Sequence, residues 1–151
     1  MKLFKNQKGF TLIELLVVIG ILAVLLAITL IAINPARQFA QANNTKRRSD
    51  VNAILNAVNQ YMADNTGTVP TGVTDVVQNI SDAGADICAA LVPQYIAALP
   101  VDPSVNDGVS VTDCTTVGYD SGYTIAQSAT NSRITVTAPG VEIGDNISVT
   151  R

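Results

Sequence analysis

Histidine and tryptophan are absent from this chain of 151 residues, aromatics make up only 5% of it, and there are two cysteines. Without histidine there is no Ser-His-Asp or Cys-His catalysis and no His-ligated zinc or haem. Two cysteines cannot by themselves build a Cys₄ site or hold an iron–sulfur cluster. Positive charge is also scarce where a nucleic acid would need it. From Asp50 onward eleven acids stand against only Arg133 and Arg151, whereas phosphate contacts need clustered Lys and Arg. No nucleic-acid partner is expected. The length supplies one domain-sized core and no room for two.

What the sequence does have is a long apolar run. Of the 24 residues from Phe10 to Ile33, only Thr11, Glu14, Gly20 and Thr29 fall outside the hydrophobic set. As a helix the run is about 36 Å long, enough to cross a ~30 Å hydrocarbon core. It is also longer than the roughly 7–15 apolar residues of a cleaved secretory signal. Lys2, Lys5 and Lys8 precede it with no acid among them, so Met1–Gly9 is expected on the cytoplasmic side and the remainder across the membrane. Lys46, Arg47 and Arg48, close beyond the far end, pull the other way. Glu14 is the anomaly, because a carboxylate in an apolar span costs on the order of 2.5–3.5 kcal/mol at mid-membrane. Either it snorkels one turn inside the interface or it awaits a cationic partner.

The string Lys8-Gly9-Phe10-Thr11-Leu12-Ile13-Glu14 closely resembles the class III signal of type IV pilins and type II secretion major pseudopilins. The resemblance implies that residues 1–9 are a basic leader removed by a prepilin peptidase between Gly9 and Phe10. It implies N-methylation of Phe10, and pairing of Glu14 with the terminal amine of a neighbouring subunit. It also implies a chain without enzymatic activity that is its own principal partner, in a helical homopolymer. The further partners are the peptidase/methyltransferase, an assembly platform, and membrane lipid before assembly. The location implied is the inner or cytoplasmic membrane, single-pass and N-in, then a cell-surface or periplasmic filament.

After the run, Asn34-Pro35 predicts a break, since proline disfavours helical geometry in the residue before it. A second helix is expected over 35–64. Val51, Ile54, Leu55, Val58, Tyr61 and Met62 follow i, i+3, i+4, i+7 spacing along it and form one apolar stripe. Asn65-Thr66-Gly67 ends it. Ala85–Leu99 reads as a short helix interrupted at Pro93, and Leu99–Pro103 as a loop. Tyr123–Gln127 and Arg133–Thr137 alternate apolar and polar residues around Thr130-Asn131-Ser132, a hairpin pattern. Ile147-Ser148-Val149 suits an edge strand. The expected fold is therefore α+β: a long N-terminal helix, its first half membrane-spanning, packed on a small antiparallel sheet within a pilin-like ectodomain over 34–151. Tyr61, Asp64, Gly67 and Pro70, and the string Leu99–Pro103, resemble the helix exit and a loop of major pseudopilins. Nothing recognisable stands between Thr71 and Cys88 or across 104–118.

Cys88 and Cys114 would meet an oxidising space beyond the membrane, so they read as a disulfide, with two buried thiols as the alternative. Asp102, Ser104, Asn106 and Asp113 stand at calcium-loop spacings 1, 3, 5 and 12. Position 6 is Asp107 in place of glycine and position 12 lacks glutamate, so the EF-hand pattern fails. Major pseudopilins resemble one another in having a calcium site in this general region, which keeps calcium in the 102–113 loop as an expectation beside an acidic solvated loop. No other cofactor or metal is expected. Lys46-Arg47-Arg48 reads as a solvated or lipid-facing helix surface, or as a contact for acids of the next filament subunit. Against the filament subunit stand a single-pass membrane-anchored receptor or ligand-binding protein and a membrane-tethered enzyme. A mature chain starting at Phe10 separates the first from the other two.

Overall fold

Asn34 divides the helical part of the chain. In the structure, a computed structural model that describes residues 9–144 and 146–151, α1 covers Leu12–Ile33 and α2 covers Pro35–Asp64. Asn34 takes left-handed angles, φ 46° and ψ 78°, because Pro35 bars it from the right-handed helical region. Its carbonyl and its side-chain oxygen both accept from the Arg37 N–H, at 3.1 and 3.4 Å. Asparagine thus caps the new helix while proline fills a position that needs no amide donor. Lys2, Lys5 and Lys8, expected in a leader, lie outside the described residues.

The chain forms two compact units, one ending at Gln38 and one spanning Phe39–Arg151. In the first unit α1 has no buried residue, and its large side chains from Leu12 to Ile33 are at least half exposed. A helix apolar all round needs lipid or other apolar helices about it. Thr29, polar inside the run, turns its hydroxyl back onto the Leu26 carbonyl at 2.9 Å, which satisfies it locally.

In the second unit α2 buries Val51, Ile54, Leu55, Ala57 and Val58, with Tyr61 and Met62 half-buried beside them. The predicted stripe is the one that packs. It covers a four-stranded antiparallel sheet made of β1 (Gln78–Ser81), β2 (Asp120–Gln127), β3 (Ile134–Ala138) and β4 (Ile147–Thr150), in the order β1-β2-β3-β4. The inward residues are Ile80, Tyr123, Ile125, Ile134, Val136, Ala138 and Ile147, all in one cluster with the helix stripe. Register follows that alternation: Ile125 pairs with Val136 and Val136 with Val149. Truncating one of these buried aliphatic side chains to Ala costs about 2–5 kcal/mol.

Three features differ from the sequence reading. β1 holds a single fully apolar residue, Ile80, and exists because the neighbouring backbone supplies its partners. Its register with β2 shifts between Asn79 and Ser81, and Ala85 N–H closes the following turn onto the Asn79 carbonyl at 2.8 Å. The short helix α3 spans only Cys88–Leu91. Beyond it the chain turns, with the Leu91 carbonyl accepting from both Tyr95 and Ile96, and the Tyr95 ring meets Tyr61 edge-on at 5.6 Å. The 99–111 loop is closed by a bridge in which Leu99 and Val111 exchange two backbone hydrogen bonds, 2.8 and 2.9 Å. Cys88 and Cys114 are joined by a disulfide, Cα–Cα 5.4 Å, which ties α3 to the loop before β2.

Candidate functional site

Two sites carry the polar chemistry, one in each unit. At the start of α1, Thr11 is the N-cap and Glu14 the third helical residue, so the two form a reciprocal capping box. The Glu14 N–H donates to Thr11 Oγ1 at 3.3 Å; in return the Thr11 N–H and hydroxyl both donate to Glu14 Oε2, at 2.8 and 2.7 Å. The box satisfies two orphan helix-end donors. It also engages one oxygen of the carboxylate, and among the described residues Oε1 has no hydrogen bond. Glu14 is therefore not fully uncompensated in a lone subunit, as a carboxylate awaiting a cation would be, but half-compensated by its own cap. Gly9 stands in open space, where an added Cβ would meet nothing within 4 Å. Phe10 is exposed.

The second site is centred on Arg47. Its neighbours on the helix surface are Asn43, Asn44 and Lys46, yet its own side chain is fully buried. The guanidinium forks onto Asp102, Nε to Oδ2 at 2.7 Å and Nη2 to Oδ1 at 2.9 Å. Nη1 reaches Glu142 Oε1 and Asn44 Oδ1, both at 3.0 Å. Asp102 Oδ1 additionally accepts from the Ser104 N–H and hydroxyl, at 2.9 and 2.6 Å. The hydrogen bonds to Asp102 raise the Arg47 pKa against a burial that would lower it. Burial alone would push the Asp102 carboxyl up; the bonds from Arg47 and Ser104 outweigh it and hold the group below the ordinary carboxylate range. Glu142 is held low by Asn43 first and by Arg47 second. Next to this node, Lys46 Nζ donates to the Val101 carbonyl and pairs with Asp50, which also accepts the Tyr123 hydroxyl at 2.8 Å. Burial and that bond to Asp50 push the Tyr123 phenol well above its usual value.

This corrects the reading of Lys46-Arg47-Arg48 as one outward surface. Lys46 and Arg48 are exposed; Arg47 alone points into the domain because Asp102 and Glu142, 55 and 95 residues along the chain, converge on it. Asp102 is likewise not part of a solvated acidic loop. Both its oxygens already hold donors, from Arg47 and Ser104. Among the described residues no group of three or more His, Cys, Asp or Glu could hold a metal.

The family described as prokaryotic N-terminal methylation motif matches residues 4–30, over the leader end, Gly9-Phe10, the capping box and most of the apolar run. The type II secretion system core protein G of Klebsiella pneumoniae is 35% identical over 105 residues, 68% of this chain and 73% of that protein. The protein of the same name from Escherichia coli is 33% identical over 131 residues, 80% of this chain and 82% of its own length. A third, from Aeromonas hydrophila, is 35% identical over 66% of this chain and 68% of its length. The chain belongs to the type IV pilin and type II secretion major pseudopilin family. It is a structural subunit of the pilus and pseudopilus kind. No solved structure matches it.

For a pilin-family subunit the two sites have separate places in the chain. The capping box belongs to the segment that the methylation motif covers, and the structure puts Thr11 beside Glu14 there, a partner that the sequence reading did not name. The signal was legible, because Thr-x-x-Glu ahead of an apolar run is a capping box. The Arg47 node lies wholly in the second unit. No local signal could have found it, since its acids lie far along the chain.

Proposed function

We propose that this subunit builds a type II secretion-type pseudopilus. The observation that carries the reading is α1 itself: 22 residues of helix with nothing buried, attached to an ectodomain that has already buried its own stripe. Such a chain is complete in its ectodomain and incomplete along α1, which needs lipid first and other copies of itself afterwards. The relatives' names point to a secretion system rather than a surface pilus.

In this reading a prepilin peptidase cuts between Gly9 and Phe10 and the new Phe10 amine is methylated. Gly9 offers the protease an unhindered backbone. The subunit is stored N-in across the inner membrane, with the ectodomain beyond it, and handed to an assembly platform. Glu14, with Oε2 held by its cap, presents Oε1 to the amine of a neighbour shifted along the filament axis. The amine sets the register and apolar packing of Leu12–Ile33 supplies the holding energy. Gly20, flanked by Leu16, Val17, Ile21, Val24 and Leu25, leaves a notch where a second helix approaches closely. The role is structural, with no enzymatic activity, no cofactor and no calcium held by Asp102.

Intact-mass measurement of native protein tests the reading. A mature chain beginning at Phe10 with one added methyl group is expected, and a native chain that retains Lys8 would remove the proposal.

A further inference from the structure

After β3, the backbone at Gly140 lies over the buried ion pair. A Cβ added at Gly140 would stand 3.0 Å from Asp102 Oδ2 and 3.4 Å from Arg47 Nη2, so the backbone there rests directly on the Arg47–Asp102 fork and leaves no room for a side chain. The polar hold on 139–144 comes from one turn of α2. Asn43 Nδ2 and Arg47 Nη1 both donate to Glu142 Oε1, at 2.8 and 3.0 Å. Asn44 Nδ2 donates to the Ile143 carbonyl at 2.6 Å, and its Oδ1 accepts from the Glu142 N–H at 3.3 Å. Two of these four bonds end on a single carboxylate oxygen. The apolar hold is small: no residue of 139–144 is buried, and Val141 rests at the rim of the core.

Solvent distinguishes the two carboxylates. The Glu142 side chain is 38% exposed, the Asp102 side chain 1%. A proton from solvent therefore meets Glu142 first, and it meets Asp102 only after the cover has moved.

We infer that 139–144 is an acid-released strap: neutralising Glu142 frees the segment from α2 and admits water to the Arg47–Asp102 pair while β2 and β3 stay paired. The charged and titratable groups around it are these among the described residues. From α2 there are Arg47, Lys46 and Asp50; from the 101–108 loop there is Asp102; from β2 there is the Tyr123 hydroxyl on Asp50. Arg47 keeps its charge in acid and the Tyr123 phenol stays neutral. Asp102 is shielded by four donors, and Asp50 is held by Lys46 and Tyr123 with no bond to 139–144 among the described residues, so Glu142 is the carboxylate on which the strap's own bonds end. Because Asn43 and Arg47 hold Glu142 below its ordinary range, the strap is closed at neutral pH and opens as pH falls through that lowered value. The strap is a property of the ectodomain and stands whether or not the chain is a secretion pseudopilin.

Hydrogen exchange on the full chain in detergent micelles tests it, read by mass spectrometry as protection factors so that the intrinsic pH dependence drops out. The Glu142 amide, the one backbone N–H of 139–144 with a hydrogen bond among the described residues, is expected to lose protection by about 10- to 100-fold, the range for losing hydrogen bonds to a charged group, between about pH 7 and about pH 3, with β2 and β3 unchanged. In Glu142→Gln the strap should be poorly protected and flat across the range. Asn43→Ala, which keeps the charge but removes one bond to it, should move the release to higher pH. Three results would overturn the proposal: wild-type 139–144 protected throughout, 139–144 losing protection in step with β2 and β3, or Asn43→Ala releasing at the wild-type pH.

Discussion

Replacing Arg47 with methionine would keep the helix propensity and most of the apolar stem but delete the guanidinium. Asp102 would then remain 1% exposed with Oδ2 stripped of its donor, and only Ser104 would be left on Oδ1. Removing one partner of a buried pair costs about 3–5 kcal/mol, because the other charge stays behind uncompensated. That is a large fraction of the ~5–15 kcal/mol that holds a typical domain together. With a urea slope of about 2 kcal/mol/M, the unfolding midpoint of a fragment beginning at Pro35 should fall by roughly 1.5–2.5 M. Circular dichroism at pH 7 is the assay. Arg47→Met combined with Asp102→Leu should recover part of the loss, since no buried charge is then stranded. The pH dependence has a definite sign. Asp102 and Glu142 both have folded pKa values below the ordinary carboxylate range. Their contribution is therefore complete above the unfolded carboxylate value and is lost as pH falls through the folded ones. The double variant should lose less stability than wild type across that acid window. An Arg47→Met midpoint within about 0.5 M of wild type, or strictly additive single variants, would refute the reasoning.

Two other predictions follow from the geometry. Glu14→Ala should leave processing and membrane insertion intact but abolish or greatly reduce filaments seen by electron microscopy; filaments of normal length and number, with no wild-type subunit present, would leave Glu14 as an ordinary helix cap. Gly122→Ala should destabilise the ectodomain by more than about 1 kcal/mol in the same urea assay. Residue 122 has φ +72°, and a Cβ there would stand 2.8 Å from Asp102 Cβ and 2.9 Å from Val105 Cγ2; a midpoint equal to wild type would show that the 102–105 loop yields freely.

Local chemistry was enough for the helical half of the molecule. Phe10–Ile33 is apolar on every side, so no fold of this chain could bury it alone, and Asn34-Pro35 ends and restarts the helix through steric terms between adjacent residues. The α2 stripe shows in the sequence because helical spacing brings Val51, Ile54, Leu55 and Val58 to one side of any helix there. The β2–β3 hairpin shows because period-2 alternation is equally local. The signal Gly9-Phe10…Glu14 is likewise contiguous, and with it the family.

Tertiary structure alone decided what long-range pairing controls. β1 has too little hydrophobic pattern to announce itself; it is a strand because β2 offers it backbone partners. Arg47 looks like its neighbours Lys46 and Arg48, and a basic triplet on a helix reads as surface. It is buried because two carboxylates from distant loops arrive where its guanidinium ends, and their combined charge and hydrogen bonds offset its desolvation. Asp102 is a loop acid by position and a buried ion-pair partner by topology. A carboxylate's sequence neighbours set its chemistry only when the partner lies within a turn of it, as Thr11 does for Glu14; when the partner is 55 residues away, the fold must form before the charge has an address.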